Sequence, residues 1–112
     1  IPWSFAPKGT NMDTIIPATG IDYLKTVAIS RIFLDNVPYL HAGWLTEGLA
    51  LAQIALAMGA NDMGGILMEE KVVKATGITT TTNIPQLCDI IINAGKIPVH
   101  RDSMYTVLRR MV

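Results

Sequence analysis

The sequence predicts an α/β chain of parallel strands joined by helical crossovers, a piece of a barrel or of a larger sheet. Three observations carry this. Apolar extended stretches alternate with helical ones, and the extended stretches begin at Ile1, Tyr39 and about Ala60, a spacing that suits βαβ units. Such crossovers are right-handed by default. Three strands leave open edges unless more sheet exists. The first residue is Ile1, not Met, and it opens directly into a strand, so the chain is expected to be cut from something longer.

Ile1 to Phe5 reads as the first strand, ended by Ala6-Pro7-Lys8-Gly9. A long loop with Pro7, Gly9, Asn11, Asp13 and Pro17 follows, and long ordered loops are often functional. Thr19 or Gly20 starts a helix to about Leu34. Its apolar face is Leu24, Val27, Ala28, Ile32 and Phe33, with Lys25 and Arg31 opposite. Tyr39 to Leu45 is the second strand. Leu49 to Met58 is a helix apolar nearly all round, which implies burial on more than one side, and Gly59 is its left-handed cap. A third strand lies between Ala60 and Met68, with Gly64-Gly65 marking a bend or a close backbone approach. A short helix spans Glu69 to Ala75, closed by Gly77, and a threonine-rich loop runs from Ile78 to Thr82. Asn83 caps the next helix, with Pro85 in its first turn and Leu87, Ile90, Ile91 and Ala94 on its face. Lys96 to His100 is extended. Asp102 or Ser103 then starts a last helix carrying Met104, Val107, Leu108 and Met111. The division expected is one partial domain over 1–112, with βα units over about 1–77 and a helical C-terminal extension over about 78–112.

Composition excludes several functions. Half of the 112 residues are hydrophobic and 16% are charged, so burial can offset the entropy of ordering. Nine basic and nine acidic residues give zero net charge, and no basic stripe points to nucleic acid. The longest apolar stretch, Gly48 to Ala60, is too short to span a bilayer, and no signal peptide is visible. A single cysteine, Cys88, excludes an intrachain disulfide and fits a reducing cytoplasm.

Several stretches together carry a resemblance. They are Ile1-Pro2-Trp3-Ser4-Phe5 with Pro7 and Gly9-Thr10; Asp22 to Arg31; Leu34-Asp35-Asn36; Ala42-Gly43-Trp44; Gly59-Ala60-Asn61-Asp62-Met63-Gly64-Gly65; Met68-Glu69-Glu70; Ala94-Gly95; and Pro98 with Arg101-Asp102 and Tyr105. In order and spacing this resembles the C-terminal region of the radical SAM enzymes of futalosine-dependent menaquinone biosynthesis. Cyclic dehypoxanthinyl futalosine synthase is the nearest of them, beside aminofutalosine synthase and deazaflavin (FO) synthase. The resemblance implies a TIM-type (β/α) barrel whose C-terminal portion is this chain. It also implies a [4Fe-4S] cluster held by CxxxCxxC, cleavage of S-adenosyl-L-methionine to a 5′-deoxyadenosyl radical, and a small nucleoside-derived substrate, dehypoxanthine futalosine, that is cyclised. With Cys88 alone the chain cannot hold that cluster, so the missing N-terminal barrel portion is its implied partner and the chain alone should be inactive. Two departures stand out. His41-Ala42-Gly43-Trp44 replaces the Gln-Ala-Ser-Trp usual in relatives, and Thr79 to Thr82 replaces a segment that often includes a histidine. A non-catalytic α/β module that binds a partner or completes a split barrel is the alternative.

Barrel sites lie at the C-terminal ends of strands. The substrate- or SAM-binding candidates are therefore Ser4, Trp44, Thr46, Asn61, Asp62, Glu69 and Glu70; the catalytic residues stay unassigned. Trp44 is read equally as a base-stacking ring or a core aromatic. Neighbours alternate along a strand, so one of Asn61 and Asp62 faces the lumen if the strand begins at once; both sit in the bottom loop if it begins at Gly64. Glu69 and Glu70 suit either a helix N-terminus or substrate contact. Arg101 and Asp102 are expected to form an ion pair or a cap. His41, His100 and Glu69 lack metal-ligand spacing, so no metal site is expected in this chain. Cys88 and the methionines read as core.

Overall fold

A computed structural model describes residues 1–66 and 82–112. Its elements run α1 (Gly20–Phe33), α2 (Trp44–Glu47), α3 (Leu49–Ala57), α4 (Ile84–Asn93), β1 (Val99–Arg101) and β2 (Val107–Arg110). The expected short helix over Glu69 to Ala75 and the threonine run up to residue 81 lie outside the described residues.

Three predicted helix starts, at Gly20, Leu49 and after Asn83, are the observed ones. Thr19 caps α1 in a full capping box: its hydroxyl accepts from the Asp22 amide at 3.1 Å, and the Asp22 carboxylate accepts from the Thr19 amide at 3.0 Å. Asn83 caps α4 by accepting from the Gln86 amide at 2.9 Å, with Pro85 in the first turn where its missing N–H costs nothing. Gly48, at φ +88°, breaks the chain between α2 and α3.

The core lies between α1, α3, α4 and the extended segments. Tyr23, Val27, Leu40, Ala42, Trp44, Ala52, Ala55, Leu56, Ala60, Met63 and Leu87 are buried together, with Ile90, Ile91 and Ala94 packed against them. Ala52 and Ala55 of α3 are fully buried in this core, and Gln53 reaches the Ile90 carbonyl of α4 with its amide nitrogen at 3.0 Å.

Four expectations change. First, Ile1 to Phe5, Tyr39 to Leu45 and Ala60 to Met68 do not form a strand ladder in the described residues. The described parts outside helices, 1–5, 39–43 and 60–66, lie side by side, and one parallel bridge, His41 to Asp62, ties the second to the third. The Asn61 amide donates to the Leu40 carbonyl at 2.9 Å and the Ala42 amide to the Asp62 carbonyl at 2.7 Å. The second segment then stops, because Trp44 to Glu47 winds into α2 instead of continuing to Leu45. Second, the last helix is an antiparallel hairpin, β1 to β2, so the C-terminal extension is helical only over α4. Met104, Val107, Leu108 and Met111 have helical spacing, but Asp102 takes the backbone another way. Its carboxylate accepts from the Met104 amide at 2.8 Å and the Thr106 amide at 3.0 Å, which closes a turn rather than starting a helix. Third, Ile32 and Phe33 on α1 are each 81% exposed and form no part of its buried face. Fourth, Arg31 is half-buried and hydrogen-bonded across to the segments rather than free on the outer face of α1.

Arg31 is a hub. Its Nε donates to the Gly59 carbonyl at 2.7 Å, Nη1 to the Val37 carbonyl at 3.2 Å, and Nη2 to the Pro38 carbonyl at 3.4 Å and to Asn61 Oδ1 at 3.2 Å. Its stem covers Gly59, where an added Cβ would stand 2.6 Å from Arg31 Cβ, so Gly59 is required by contact as well as by its φ of +115°. Arg31→Met keeps the stem and removes every donor. Charge-assisted hydrogen bonds contribute about 1.5–3 kcal/mol each in isolation, and this substitution is expected to cost about 2–3 kcal/mol in total, read as a lower urea midpoint of the full-length protein.

Large apolar side chains remain on the surface, among them Ile1, Trp3, Phe5, Ile16, Ile21 and Ile29. The 112-residue chain on its own is therefore expected to self-associate, since exposed apolar patches drive contact. Multi-angle light scattering at rising concentration checks this; a monodisperse monomer throughout would contradict it.

Candidate functional site

The three extended segments run in one direction. His41 and Asp62 bridge in parallel. Beside Gly43, an added Cβ would lie 3.6 Å from the Pro2 carbonyl oxygen, and two residues further on the Ser4 amide donates to Glu47 Oε1 at 3.3 Å. The first segment thus tracks the second in parallel. The end of the first segment at Ser4-Phe5, the helix α2 that follows the second, with Thr46-Glu47, and Gly65 of the third fall around neighbouring hollows.

Two hollows open at this end. The larger, about 570 Å³, is lined by Ser4, Lys8, Asp13, Thr46 and Glu47 among apolar residues of the loop from Phe5 to Ala18. That loop folds back through a turn in which the Thr10 amide and hydroxyl both donate to the Pro7 carbonyl, at 3.1 and 2.6 Å. The smaller, about 110 Å³, lies between Pro2, Trp3, His41, Gly43, Trp44, Thr46 and Gly65. Thr46 lines both hollows.

The structure therefore brings Ser4 and Thr46 to one cleft. Trp44 sits in the core at 4% exposure, with its indole N–H donating to the Met63 carbonyl at 3.0 Å, while part of it lines the smaller hollow. Asn61 stands apart from the cleft. Its carboxamide accepts from the Leu40 amide at 2.8 Å and from Arg31, and donates to the Pro38 carbonyl at 2.9 Å. Those bonds tie α1 to the segments. Asp62 lies within the bridged pair rather than in the connection before it, and its partner is Arg101, the ion pair expected of that residue. Glu69 and Glu70 lie outside the described residues.

Residue spacing gave no sign of which carboxylate Arg101 would meet, 39 positions away. Both carboxylate oxygens are engaged: Arg101 Nε donates to Oδ2, and Nη2 donates to Oδ1 at 3.0 Å. The Gly64 amide also donates to Oδ1, at 2.7 Å. Burial pushes the Asp62 pKa up, but the guanidinium and the Gly64 amide outweigh it and hold the carboxyl below its ordinary value of 3.8. For His41 burial wins: it pushes the imidazole below 6.5, although the Asp62 carboxylate pulls the other way. The Tyr23 hydroxyl accepts from the Gly43 amide at 2.8 Å, and burial raises its pKa.

Sequence reasoning missed His41, Gly64 and Glu47 as site residues. His41 was set aside as a metal ligand on its spacing, yet its ring packs on Gly64 and lines the smaller hollow. The departure His41-Ala42-Gly43-Trp44 was the available signal. Glu47 reads as an ordinary helix residue until the Ser4 amide is placed against it.

Among the described residues, no cluster of three or more His, Cys, Asp or Glu could hold a metal ion, and no helix is long and apolar enough to cross a membrane. Cys88 is half-buried on α4. One thiolate does not fit a [4Fe-4S] cluster, which takes several.

Comparison with known proteins gives a consistent picture. A family model described as the CofH/MqnC C-terminal region matches residues 1–111. A cyclic dehypoxanthine futalosine synthase of Halalkalibacterium halodurans is 42% identical over 109 residues, covering 97% of this chain and 30% of that protein. An aminodeoxyfutalosine synthase of Thermus thermophilus is 36% identical over 115 residues, covering 97% and 31%. A 5-amino-6-(D-ribitylamino)uracil–L-tyrosine 4-hydroxyphenyl transferase of Archaeoglobus fulgidus is 38% identical over 112 residues, covering 96% and 33%. The chain thus spans about a third of the length of the curated relatives it matches.

Proposed function

The chain belongs to the CofH/MqnC C-terminal region family, and from that premise we propose that it forms the C-terminal part of a radical SAM enzyme of futalosine-pathway menaquinone biosynthesis. The whole protein would cyclise dehypoxanthine futalosine. The observation that carries this is the 42% identity to a cyclic dehypoxanthine futalosine synthase across 97% of the chain. The geometry supports it: parallel extended segments whose C-terminal ends converge on a cleft are what one arc of a TIM-type barrel presents to its substrate. In this reading residues up to about 77 supply barrel units, and α4 with the hairpin forms an extension packed against them.

The division of labour follows from the residues present. Cluster ligands come from the rest of the protein, and no chemistry is assigned to Cys88. S-adenosyl-L-methionine, when bound to the whole enzyme, supplies the radical that takes a hydrogen from substrate. This chain supplies walls and polar anchors. Ser4, Thr46 and the Glu47 carboxylate face the larger cleft with Lys8 and Asp13, a set able to hydrogen-bond the hydroxyls of a nucleoside-derived substrate. Site residues Asn61 and Asp62 act at one remove in this reading, through the backbone that they hold.

The test uses the full-length protein, reconstituted anaerobically with iron and sulfide and given S-adenosyl-L-methionine and a reductant. Dehypoxanthine futalosine is expected to yield its cyclic product by mass spectrometry. Turnover instead of the substrates of aminodeoxyfutalosine synthase or of the 4-hydroxyphenyl transferase would move the protein to that branch of the family. Absence of turnover with all three would favour the non-catalytic module. The 112-residue chain treated in the same way is expected to bind no iron; iron–sulfur absorbance that depends on Cys88 would contradict the assignment of the cluster elsewhere.

A further inference from the structure

We propose that Arg101 is a positioning residue: from the C-terminal hairpin it fixes the Gly64–Gly65 turn and the His41 ring at the smaller hollow. The inference rests on the reading above that substrate binds at this end of the segments.

Four observations converge. The guanidinium engages both oxygens of Asp62, whose side chain is 8% exposed against 26% for Arg101. A planar fork matches a carboxylate in this way, and an ammonium does not. Asp62 Oδ1 in turn accepts from the Gly64 amide, so the pair holds the backbone of the turn that ends at Gly65. Gly64 lies under the His41 ring, and His41 and Gly65 both line the hollow. A displacement of Asp62 therefore reaches the hollow through two residues of backbone and one packed ring.

The other side of Arg101 is fixed with equal care. Its guanidinium lies 4.0 Å from the centroid of Tyr105, and Tyr105 stacks on Tyr39 with centroids 4.2 Å apart and an interplanar angle of 18°. Tyr105 sits at φ +64°, a conformation that costs a non-glycine residue free energy and persists where surrounding contacts over-determine it. Those contacts are the guanidinium on one hand and Tyr39 on the other. Arg101 Nη1 also donates to the Asp102 carbonyl at 2.8 Å, in the turn that Asp102 itself closes. A surface ion pair with no task would need none of this. The chain Tyr39–Tyr105–Arg101–Asp62–Gly64 links the segment that carries His41 to the segment that carries Gly65, by way of an element far along the sequence.

The experiment compares wild type, Arg101→Lys, Arg101→Gln and Arg109→Gln as full-length proteins. Arg109 is exposed on β2 and serves as the control. Amide hydrogen exchange over residues 60–66 is read first. Both Arg101 variants are expected to exchange the Gly64 amide, which donates to Asp62 Oδ1, at least tenfold faster, with Arg109→Gln unchanged. Unchanged protection in the Arg101 variants overturns the proposal. Steady-state turnover is read second. Arg101→Lys is expected to lose at least tenfold in kcat/KM, mostly in KM, although it keeps the charge. Faster exchange with unaltered kcat/KM overturns it too, since the pair would then be structural only. If Arg101→Gln fails to fold, Arg101→Lys and Tyr105→Leu, which removes the ring under the guanidinium, give the same two readouts. A wild-type protein that turns over no substrate sinks the functional reading, while exchange still decides whether Arg101 holds the turn.

Discussion

Gly64→Ala is expected to destabilise the protein by about 3 kcal/mol or more, combining backbone strain with overpacking. The backbone there has φ +68°, a region that a Cβ makes unfavourable by roughly 1–2 kcal/mol. The added carbon would also stand inside contact distance of the His41 ring, with Nε2 only 2.9 Å away. His41 cannot yield easily. It lies in the bridged segment, Ala42 beside it is fully buried, and the Trp44 indole is anchored on the Met63 carbonyl. Gly65 provides the internal comparison. Among the described residues no atom stands within 4 Å of a Cβ built there, and its φ is not in the left-handed range. Gly65→Ala should therefore change stability by well under about 1 kcal/mol. Thermal or urea midpoints of the two variants check the contrast. Equal losses at the two positions would show that the packing of His41 on Gly64 does not govern this turn.

The two glycines also show how far sequence reasoning reaches. Their adjacency announced a bend or close approach, but only the positive φ and the ring overhead tell one from the other. The same limit applies along the chain. α1, α3 and α4 were legible because their caps are local: Thr19 with Asp22, Gly48, and Asn83 with Pro85 act within a turn of the helices that they start. The hairpin was not legible. Met104, Val107, Leu108 and Met111 satisfy helical spacing as well as any real helix, and the decision lies in two hydrogen bonds from Asp102 and in a tyrosine stack formed with a residue 66 positions earlier. The site divides in the same way. Ser4 and Thr46 were candidates from the rule that barrel ligands meet strand ends, and the structure places both at one cleft, Thr46 on the helix α2. The Arg101–Asp62 pair and the burial of Arg31 depend on tertiary contacts to residues about 30 or 40 positions away, which no local pattern encodes.

Acid should destabilise the protein in two separable steps, and two substitutions should remove one step each. The first belongs to His41. Its folded pKa lies below the ordinary 6.5, chiefly through burial, so the unfolded chain takes up the proton first as pH falls. Stability is then fully present above 6.5 and declines as pH drops from there towards the folded value. His41→Gln is expected to flatten this upper limb. The second step belongs to Asp62, whose folded pKa is held below 3.8 by Arg101 and the Gly64 amide against the opposing effect of burial. Its contribution is complete above 3.8 and is lost as pH falls through the folded value, because protonation dissolves the pair. Asp62→Asn keeps an acceptor for Gly64 but abolishes the ion pair. It should cost about 2 kcal/mol near neutral pH and leave a shallower dependence below 3.8, with wild type and variant converging only once pH has fallen below the folded pKa of Asp62. The coupling gives the sharper check. Asp62 is the charge that pulls the His41 pKa upward, so in Asp62→Asn the His41 limb should begin at the same 6.5 yet extend to lower pH. Melting temperatures of wild type and the two variants between about pH 3 and 8 measure all three effects on one set of preparations. A variant whose curve runs parallel to wild type through the whole range would remove that residue from the titrating pair.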